Sequence, residues 1–401
     1  MENKKILPLH KVEQFITNVR AIEELAQNSP DLQVLKGYMG FGGLSDCFWD
    51  RQLYGQLMRA IRANFGIEKE KDILENLRIS TKSAYYTPKE LIIFIYRYLQ
   101  QVCNFKGGDI LEPSCGNGAF FEHMPSDIMA NSNITGVEYD ILTSRLVKGI
   151  YPHINIINDG LQNINFTGLK YDLIIGNPPY GDLKMQDIYM PDLNDYTIHH
   201  YFTAKCVRLL KDNGILVFVL PSFYLDIPKR NTRHIVDNES VIIDVVRLPS
   251  NLFAQATVTV DILFIRKTGN RLHNILNTTK YVDENGNSDC INEFWVKNRH
   301  RILGELKLKF VGKYNRWLAT CETNNKQELL GYLVNCKFDV STINNFNKVS
   351  HVNDDNGDGE QNAPDNNVRM LEKQLIKLQQ QAQSISIELE QIIKQVQSYK
   401  E

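Results

Sequence analysis

Short apolar runs separated by amphipathic stretches fill the middle of this chain. The runs cover residues 109–112, 134–138, 154–157, 171–176, 214–221, 241–247 and 258–266. They predict buried β-strands, and residues 197–212 have the spacing of an amphipathic helix that ends at Asn213-Gly214. Strands that alternate with helices predict an α/β fold with a mostly parallel sheet covered on both faces. In such a sheet the active site is expected at the carboxyl ends of the strands.

The two ends of the chain have different patterns. Residues 1–80 predict helices interrupted at 37–44 by a loop rich in glycine and aromatic residues. Residues 351–367 are acidic and rich in Asn, Asp and Gly, and they predict a disordered linker.

Residues 368–401 predict a coiled-coil helix, because apolar positions recur there at alternating steps of four and three. The seam consists of Leu371, Leu375, Leu378, Ala382, Ile385, Leu389, Ile392, Val396 and Tyr399. A single helix cannot bury such a stripe. We therefore expect residues 371–399 to pair with a second copy of the chain, with another subunit, or with the body of the protein.

The formal net charge of −2 over 401 residues gives no argument from global basicity. Locally, eleven Lys or Arg oppose five Asp or Glu between residues 266 and 318. This segment mixes cations with aromatic residues, as surfaces that follow a phosphate backbone do. A solvated charged face is the alternative. The residues concerned are Trp295, Lys297, Arg299, His300, Arg301, Lys307, Lys309, Lys313, Arg316 and Trp317.

The cysteine pattern and the hydropathy of the chain indicate in which cellular compartment the protein is expected. The seven cysteines include no Cys-x-x-Cys pair, which argues against a structural zinc site and a disulfide framework. No apolar run reaches the roughly 18 residues of a membrane-spanning helix, and the charged start precedes no secretory segment. We expect a cytoplasmic protein without a membrane or metal partner.

The tetrapeptide Asn177-Pro178-Pro179-Tyr180 follows the apolar run 171–176 and predicts chemistry on a planar nitrogen. Such a nitrogen is a poor nucleophile, because its lone pair is delocalised. The Asn177 side-chain carbonyl and the Pro178 backbone carbonyl can both accept hydrogen bonds from one NH2 group and localise that lone pair. The prolines stiffen the turn, and Tyr180 offers a face on which a flipped base can stack. The alternative is a proline-rich turn with Tyr180 as packing.

Three further strand ends predict a nucleotide-type cofactor. Gly116 and Gly118 follow the first run and let backbone approach a ligand closely. Glu138 ends the second run and is placed to accept both ribose hydroxyls, although a solvated acid is the alternative. Asp159 follows the third run and could bind an adenine amino group, or be a turn residue. We count Cys115, inside the glycine turn, among the cofactor-binding residues as a packing residue and not as a nucleophile. Asn177 is counted among the cofactor-binding residues as well.

In this order, residues 80–268 resemble the S-adenosylmethionine-dependent adenine-N6 DNA methyltransferases of the gamma motif order. The resemblance implies a Rossmann-like seven-stranded methyltransferase sheet, S-adenosylmethionine as cofactor, and double-stranded DNA as substrate. It implies that Tyr86 and Thr87 approach the cofactor carboxylate, although Thr87 before a proline is also an ordinary helix N-cap. It further implies that Glu112, with Pro113, lies near the methionine moiety, and that Phe253 contacts the flipped adenine opposite Tyr180.

The resemblance also implies a domain organisation. Residues 81–268 would be the catalytic domain, residues 269–350 a small target-recognition region, and residues 371–399 a possible contact with a specificity subunit. The loop at 37–44 resembles one found in some phage and mobile-element methyltransferases. We expect it to pack over the cofactor or the DNA side of the cleft, or to be a plain interhelical turn.

The implied activity is site-specific adenine methylation in a restriction-modification or mobile-element context. Methylation of an RNA base or a protein glutamine is the alternative, because those nitrogens are equally planar. A catalytically silent subunit of a methylase complex is another.

Overall fold

The computed structural model describes residues 7–83, 87–228, 233–253, 258–268 and 277–338. Among these, seven strands form a central sheet in the order β3-β2-β1-β4-β5-β7-β6, and β7 runs antiparallel to both of its neighbours. The predicted Rossmann-like sheet is therefore confirmed. The strands are β1 Gly108–Glu112, β2 Ser132–Val137, β3 Asn155–Ile157, β4 Tyr171–Gly176, β5 Leu210–Pro221, β6 Ser240–Leu248 and β7 Val260–Lys267.

Both faces of the sheet are buried, which explains why its strands read as continuous apolar runs. In β4, Leu173 and Ile175 pack into the core on one face, and Ile174 packs into a second core on the other. The parallel register of β1 with β2 and with β4 brings the carboxyl ends of these strands to one edge.

Helices cover the two faces and form the N-terminal extension. Asp50 shows how the sequence sets their limits, since its carboxylate accepts hydrogen bonds from the Gln52 and Leu53 amides and so starts α3. The helices are α1 Leu9–Glu24, α2 Leu32–Lys36, α3 Arg51–Phe65, α4 Glu70–Ser83, α5 Lys89–Gln101, α6 Ala119–Glu122, α7 Ser126–Ala130, α8 Ile141–Ile150, α9 Ile198–Leu209, α10 Phe223–Asp226, α11 Arg233–Glu239, α12 Glu293–Lys297 and α13 Lys326–Asn335.

The predicted helix at 197–212 is wrong at its carboxyl end, because α9 ends at Leu209 and β5 begins at the next residue. Leu210 already pairs with Tyr171, and the register with β4 then shifts. Asn213 takes a left-handed φ of 64° within the strand. Asn213-Gly214 is therefore an irregularity inside β5 and not a helix cap.

Two antiparallel hairpins follow the sheet, β8 Thr278–Val282 with β9 Ser288–Asn292 and β10 Glu305–Val311 with β11 Arg316–Glu322. After them α13 packs back on α5, where the Arg97 guanidinium donates to the Cys336 carbonyl at 2.8 Å. All described residues fall in one compact unit.

The predicted linker at 351–367 and the coiled-coil helix at 368–401 lie outside the described residues. Within the described ranges, no helix combines the length and the apolar character that crossing a bilayer requires.

Candidate active site

A cavity of about 910 Å³ opens at the carboxyl edge of β1, β2 and β4. Its volume lies in the range of roughly 300–1,000 Å³ that is usual for small-molecule sites. The predicted site residues on its wall are Thr87, Glu112, Pro113, Cys115, Gly116, Glu138, Asp159, Asn177, Pro179 and Tyr180. The parallel sheet thus brings together side chains that are far apart in the chain.

The turn after β1 owes its shape to its glycines. Gly116 and Gly118 have φ angles of +52° and +78°, in the left-handed region that favours glycine. A Cβ at Gly118 would also lie 2.7 Å from Cε2 of Tyr151. Gly118 is therefore required for packing, and it is not among the described residues that line the cavity.

Cys115 lies in the same turn with only 3% of its surface exposed. Its amide donates to the Val137 carbonyl at 2.8 Å, which ties the turn to β2. Burial, followed by the charges of Glu112 and Glu138, raises the pKa of its thiol well above the usual value. A protonated, buried thiol agrees with its interpretation as a packing residue.

Glu138 connects the glycine turn to the start of α8. One carboxylate oxygen accepts from the Gly116 amide and the other from the Asp140 amide, both at 2.8 Å. Burial, followed by the nearby Asp140 carboxylate, raises its pKa to about 7. A carboxylate oxygen has more than one acceptor position, so Glu138 can hold the turn and still accept from a ligand hydroxyl.

Glu112, at the end of β1, is 2% exposed, and its Oε2 has no hydrogen-bond partner among the described residues. Burial and then the charge of Glu138 raise the pKa of this carboxyl well above its usual range. Asn117 Oδ1 and Asp140 Oδ2, on the same wall, are also buried and without partners there. This wall therefore offers acceptors that a ligand rich in donors or positive charge would satisfy.

The tetrapeptide lies at the end of β4, as predicted from the apolar run before it. The Tyr180 hydroxyl donates to Asn177 Oδ1 and also lies 2.9 Å from the Val219 carbonyl. Burial raises the pKa of Tyr180 well above its usual value, with a smaller contribution from Asp261. An amide oxygen has two lone pairs, so Oδ1 of Asn177 can take part in more than one hydrogen bond. Pro178 is buried and is not among the described lining residues.

Thr87 and Asp159 reach the cavity in different ways. Thr87 is 8% exposed, and α5 begins at Lys89 with Pro88 in the cap position and no side-chain cap. The N-cap alternative for Thr87 is therefore wrong. Asp159 is exposed, and its Oδ1 accepts from the Gly160 amide at 2.7 Å and from Asn163 at 2.8 Å.

Two predicted residues are not placed on this wall. Tyr86 lies outside the described residues. Phe253 is 7% exposed and packs in the core with Leu248 and Leu252, and it is not among the described residues that line the cavity. Its contact with a flipped base stays a prediction.

A further part of the wall comes from the N-terminal extension, where the sequence analysis expected the loop at 37–44 over the cleft but did not foresee the contribution of α4. The additional lining residues are Tyr38, Phe41, Lys71, Leu74, Glu75 and Asn76. The glycine and aromatic pattern at 37–44 marked this loop as unusual, but nothing in it specified that Tyr38 and Phe41 would line the cavity.

The predicted aromatic and basic surface is smaller in the structure. Trp295 is fully buried beneath the Arg247 guanidinium, 4.3 Å from its ring centre, so its prediction as a surface aromatic is wrong. Lys307 and Lys309 pair with Glu305 and Glu322.

Lys297, Arg299 and His300 of the predicted surface are exposed, and a second exposed group lies at the end of the β10–β11 hairpin. Tyr314 is 55% exposed, with Lys313 and Arg316 at 5.3 and 5.8 Å from its ring. Phe310 is 53% exposed and meets Trp317 edge to face at 5.7 Å.

The residues present fit S-adenosylmethionine. That molecule carries a positively charged sulfur, an ammonium group and several hydrogen-bond donors. The cavity wall offers buried acceptors without partners among the described residues, on Glu112, Asn117 and Asp140, together with the carboxylate of Glu138. A cation beside Glu112 would also remove the cost of burying its charge.

The chain is similar in sequence to several known methyltransferases. The chain is 28% identical over 208 residues to the Type II methyltransferase M.CvrRI of Paramecium bursaria Chlorella virus XZ-6E, covering 50% of this chain and 53% of that protein. It is 32% identical over 149 residues to the modification methylase CviBIII of Paramecium bursaria Chlorella virus NC1A, covering 36% and 38%. The chain thus spans about half, or less, of the length of these relatives.

A solved structure, the type I restriction-modification system methyltransferase subunit from Streptococcus thermophilus, is 15% identical with a TM-score of 0.39. The match covers 62% of this chain and 64% of that one, and the likeness is too weak to support a statement about function. The profile of the family described as N-6 DNA Methylase matches residues 73–327, which is more than half of the chain. The chain therefore belongs to the N-6 DNA methylase family.

Proposed function

We propose that this chain transfers the methyl group of S-adenosylmethionine to the N6 amino group of adenine in double-stranded DNA. The observation that carries the proposal is the cavity wall that joins Asn177 and Tyr180 to Glu112 and Glu138. A planar-nitrogen site and a site for a cationic nucleoside thus share one space. Membership of the N-6 DNA methylase family supports DNA over an RNA base or a protein glutamine as the substrate.

Asn177 performs the central step. Its Oδ1 accepts one hydrogen from the adenine amino group, while the Tyr180 hydroxyl holds the amide from the other side. The Pro178 carbonyl would accept the second hydrogen, so that the nitrogen lone pair turns towards the methyl group. The cofactor supplies that methyl group on a positively charged sulfur. The nitrogen would gain the methyl group as the sulfur–methyl bond breaks and neutral S-adenosylhomocysteine is left, and it would lose one proton to water.

The other residues of the cavity wall bind the cofactor and orient the two reactants. Glu138 and Asp159 accept from the ribose and adenine of the cofactor, and Glu112 and Thr87 face its methionine end. Gly116 lets the backbone approach closely. Tyr180 supports the flipped base, and Phe253 would contact it from the other side once its ring leaves the core that it shares with Leu248 and Leu252. Holding both reactants in one cavity removes much of the entropic cost of their encounter.

DNA would be bound by the target-recognition region at 269–350. The β10–β11 hairpin supports this, because Lys313, Arg316 and Tyr314 are exposed together at its end. Cations of this kind bind phosphates and position the duplex, whereas sequence is read by other contacts.

The names of the relatives support a proposal for the context and the partners. Their names place type II methyltransferases and a modification methylase among them. A type I restriction enzyme methylase subunit from Methanocaldococcus jannaschii is 25% identical over 213 residues, covering 46% of this chain and 37% of that one. We extend this to a restriction-modification role in the cytoplasm, with residues 371–399 forming a homodimer or binding a specificity subunit.

The test is methyl transfer from labelled S-adenosylmethionine to unmethylated duplex DNA, followed by nucleoside analysis. Wild-type protein should yield N6-methyladenine, and Asn177→Ala should lose this product by two to three orders of magnitude, roughly the effect of removing one aligned polar group from a transition state. Asn165→Ala, an exposed Asn before β4, is the matched control and should keep the wild-type rate.

Binding of S-adenosylhomocysteine should be unchanged in Asn177→Ala, because its side chain acts on the substrate nitrogen. Label that appears in RNA or protein but not in DNA would contradict the proposal. Equal loss of binding and turnover would indicate a folding defect in the variant.

A further inference from the structure

We propose that the loop at 37–44 is part of the cofactor-binding site, with Tyr38 and Phe41 as cofactor-contacting residues. This proposal rests on the proposed function and its cofactor. The loop itself lies outside residues 73–327, the range that matches the family. Both residues line the same cavity as Glu112 and Glu138, although they are only 2% and 1% exposed. The site would therefore be completed by a segment that the family profile does not include.

The loop is bonded to the two segments that form the polar wall. The Tyr38 hydroxyl lies 3.0 Å from Thr143 Oγ1 in α8, and Asn117 of the glycine turn donates to the Tyr38 carbonyl at 3.4 Å. Glu138 connects those same two segments. A displacement of Tyr38 would therefore shift both segments whose amides donate to the Glu138 carboxylate.

The loop has a fixed conformation, which argues against a plain interhelical turn. The fully buried Asn18 of α1 donates to the Gly40 carbonyl at 2.6 Å and accepts from the Met39 amide at 2.8 Å. Gly40 and Gly43 have φ angles of +66° and +71°, and the Gly43 amide donates to the Thr81 carbonyl at 3.1 Å. Buried polar bonds of this kind specify one arrangement.

An aromatic cluster holds Phe41 in place from behind. Its ring lies 5.3 Å from Phe15, 5.7 Å from Phe48 and 6.1 Å from Tyr38, each at a steep angle. Aromatic side chains attract cations and stack on planar rings, and S-adenosylmethionine contains both. These rings would also exclude water from the cavity beside Glu112 and Glu138, which strengthens the electrostatic contacts there.

Calorimetric binding of S-adenosylhomocysteine to the full chain, with thermal unfolding in parallel, tests the proposal. Phe41→Ala removes a ring from the cavity wall, and Phe48→Ala removes a ring of the same cluster that is not among the described lining residues. We expect Kd to rise about tenfold or more in Phe41→Ala, the effect of losing one buried aromatic contact, and less than about threefold in Phe48→Ala. Both should lower Tm.

Phe41→Leu keeps most of the apolar volume and replaces Phe41→Ala in the test if Phe41→Ala does not fold. Phe41→Leu should still weaken S-adenosylhomocysteine binding several-fold. Equal Kd values in Phe41→Ala, Phe48→Ala and wild type would overturn the proposal and leave the proposed function intact. Wild-type protein that binds no S-adenosylhomocysteine would instead overturn the proposed function, and this inference with it.

Discussion

The two walls of the cavity differ in chemistry and in origin. The sheet wall is polar, and it carries Glu112, Glu138 and Asn177 at the ends of parallel strands. The N-terminal wall is mixed: the loop at 37–44 supplies the aromatic Tyr38 and Phe41, and α4 supplies Leu74 beside the polar Lys71, Glu75 and Asn76. Acceptors on the sheet side include buried oxygens without partners among the described residues, whereas the loop backbone on the other side is bonded by Asn18.

This difference separates two tasks. A strand end fixes a polar side chain closely in space, because the sheet on both sides restrains the backbone, and chemistry needs that restraint. Closure needs only apolar area and a good fit, which a helical extension can supply in many ways. We therefore expect substitutions on the sheet wall to have larger effects than those on the N-terminal wall.

Glu138→Ala should have the largest effect on cofactor binding. It removes a carboxylate that holds the Gly116 and Asp140 amides and would also bind the ribose. Loss of the two charge-assisted bonds to the ribose, at roughly 1.5–3 kcal/mol per bond, should weaken S-adenosylhomocysteine binding by at least about 100-fold. Calorimetry measures this, with Glu23→Ala, an exposed carboxylate on α1, as control. An unchanged Kd in a folded variant would show that Glu138 does not contribute to cofactor binding.

Tyr180→Phe should separate turnover from binding. The change keeps the ring but removes the hydroxyl that donates to Asn177 Oδ1. The amide would then be less well oriented, and kcat should fall about tenfold, the effect of a bond worth roughly 1–1.5 kcal/mol. Binding of S-adenosylhomocysteine should not change. Single-turnover methylation measures the rate, and a loss confined to cofactor affinity would contradict this role.

The pH dependence of stability should also distinguish the walls. Because burial raises the pKa of Glu138 from 4.5 to about 7, the folded protein retains a proton there that the unfolded chain has lost. Its contribution to the free energy of unfolding is therefore present below about pH 4.5 and is lost as the pH rises to about 7. Urea unfolding at pH 5 and pH 7.5 measures this.

Glu138→Gln should lose less stability than wild type between those two pH values, and Tyr38→Phe on the other wall should follow wild type. Parallel curves for Glu138→Gln and wild type would show that this carboxyl does not titrate in that window.

Lys313→Ala should have the smallest effect, because it changes neither wall. An exposed phosphate contact of one lysine should reduce DNA affinity only a few-fold and lower the salt dependence of binding by about one ion. Lys309→Ala, on the same hairpin but paired with Glu322, is the matched control and should change affinity less. Fluorescence anisotropy over a salt series measures both. Equal slopes in all three proteins would identify the hairpin end as a solvated face.

Much of the sheet wall could be predicted from the sequence, because it depends on local patterns. An apolar run followed by Glu112, Glu138 or Asn177 predicts a strand end, and parallel strands bring such ends to one edge. The prediction was less accurate where a local sequence pattern was compatible with two different structures. Thr87 before Pro88 resembled a cap that the structure does not use, and Asn213-Gly214 resembled a helix end but lies inside β5.

Side-chain burial beyond the strands was also hard to predict. Trp295 lies among cations in the sequence, yet it is buried because it packs from α12 under Arg247 of β6. Phe253 follows the sheet at the predicted place, but its ring packs into the core instead of the cavity.

The sequence by itself determined the α/β class, the strand ends and the position of the tetrapeptide after one of them, because these depend on periodicity and residue type over short distances. Only the tertiary structure decided that the loop at 37–44 closes the same cavity. The contact between Tyr38 and Thr143 joins residues 105 positions apart. No local pattern specifies such a pair, since it depends on how whole helices pack against the sheet.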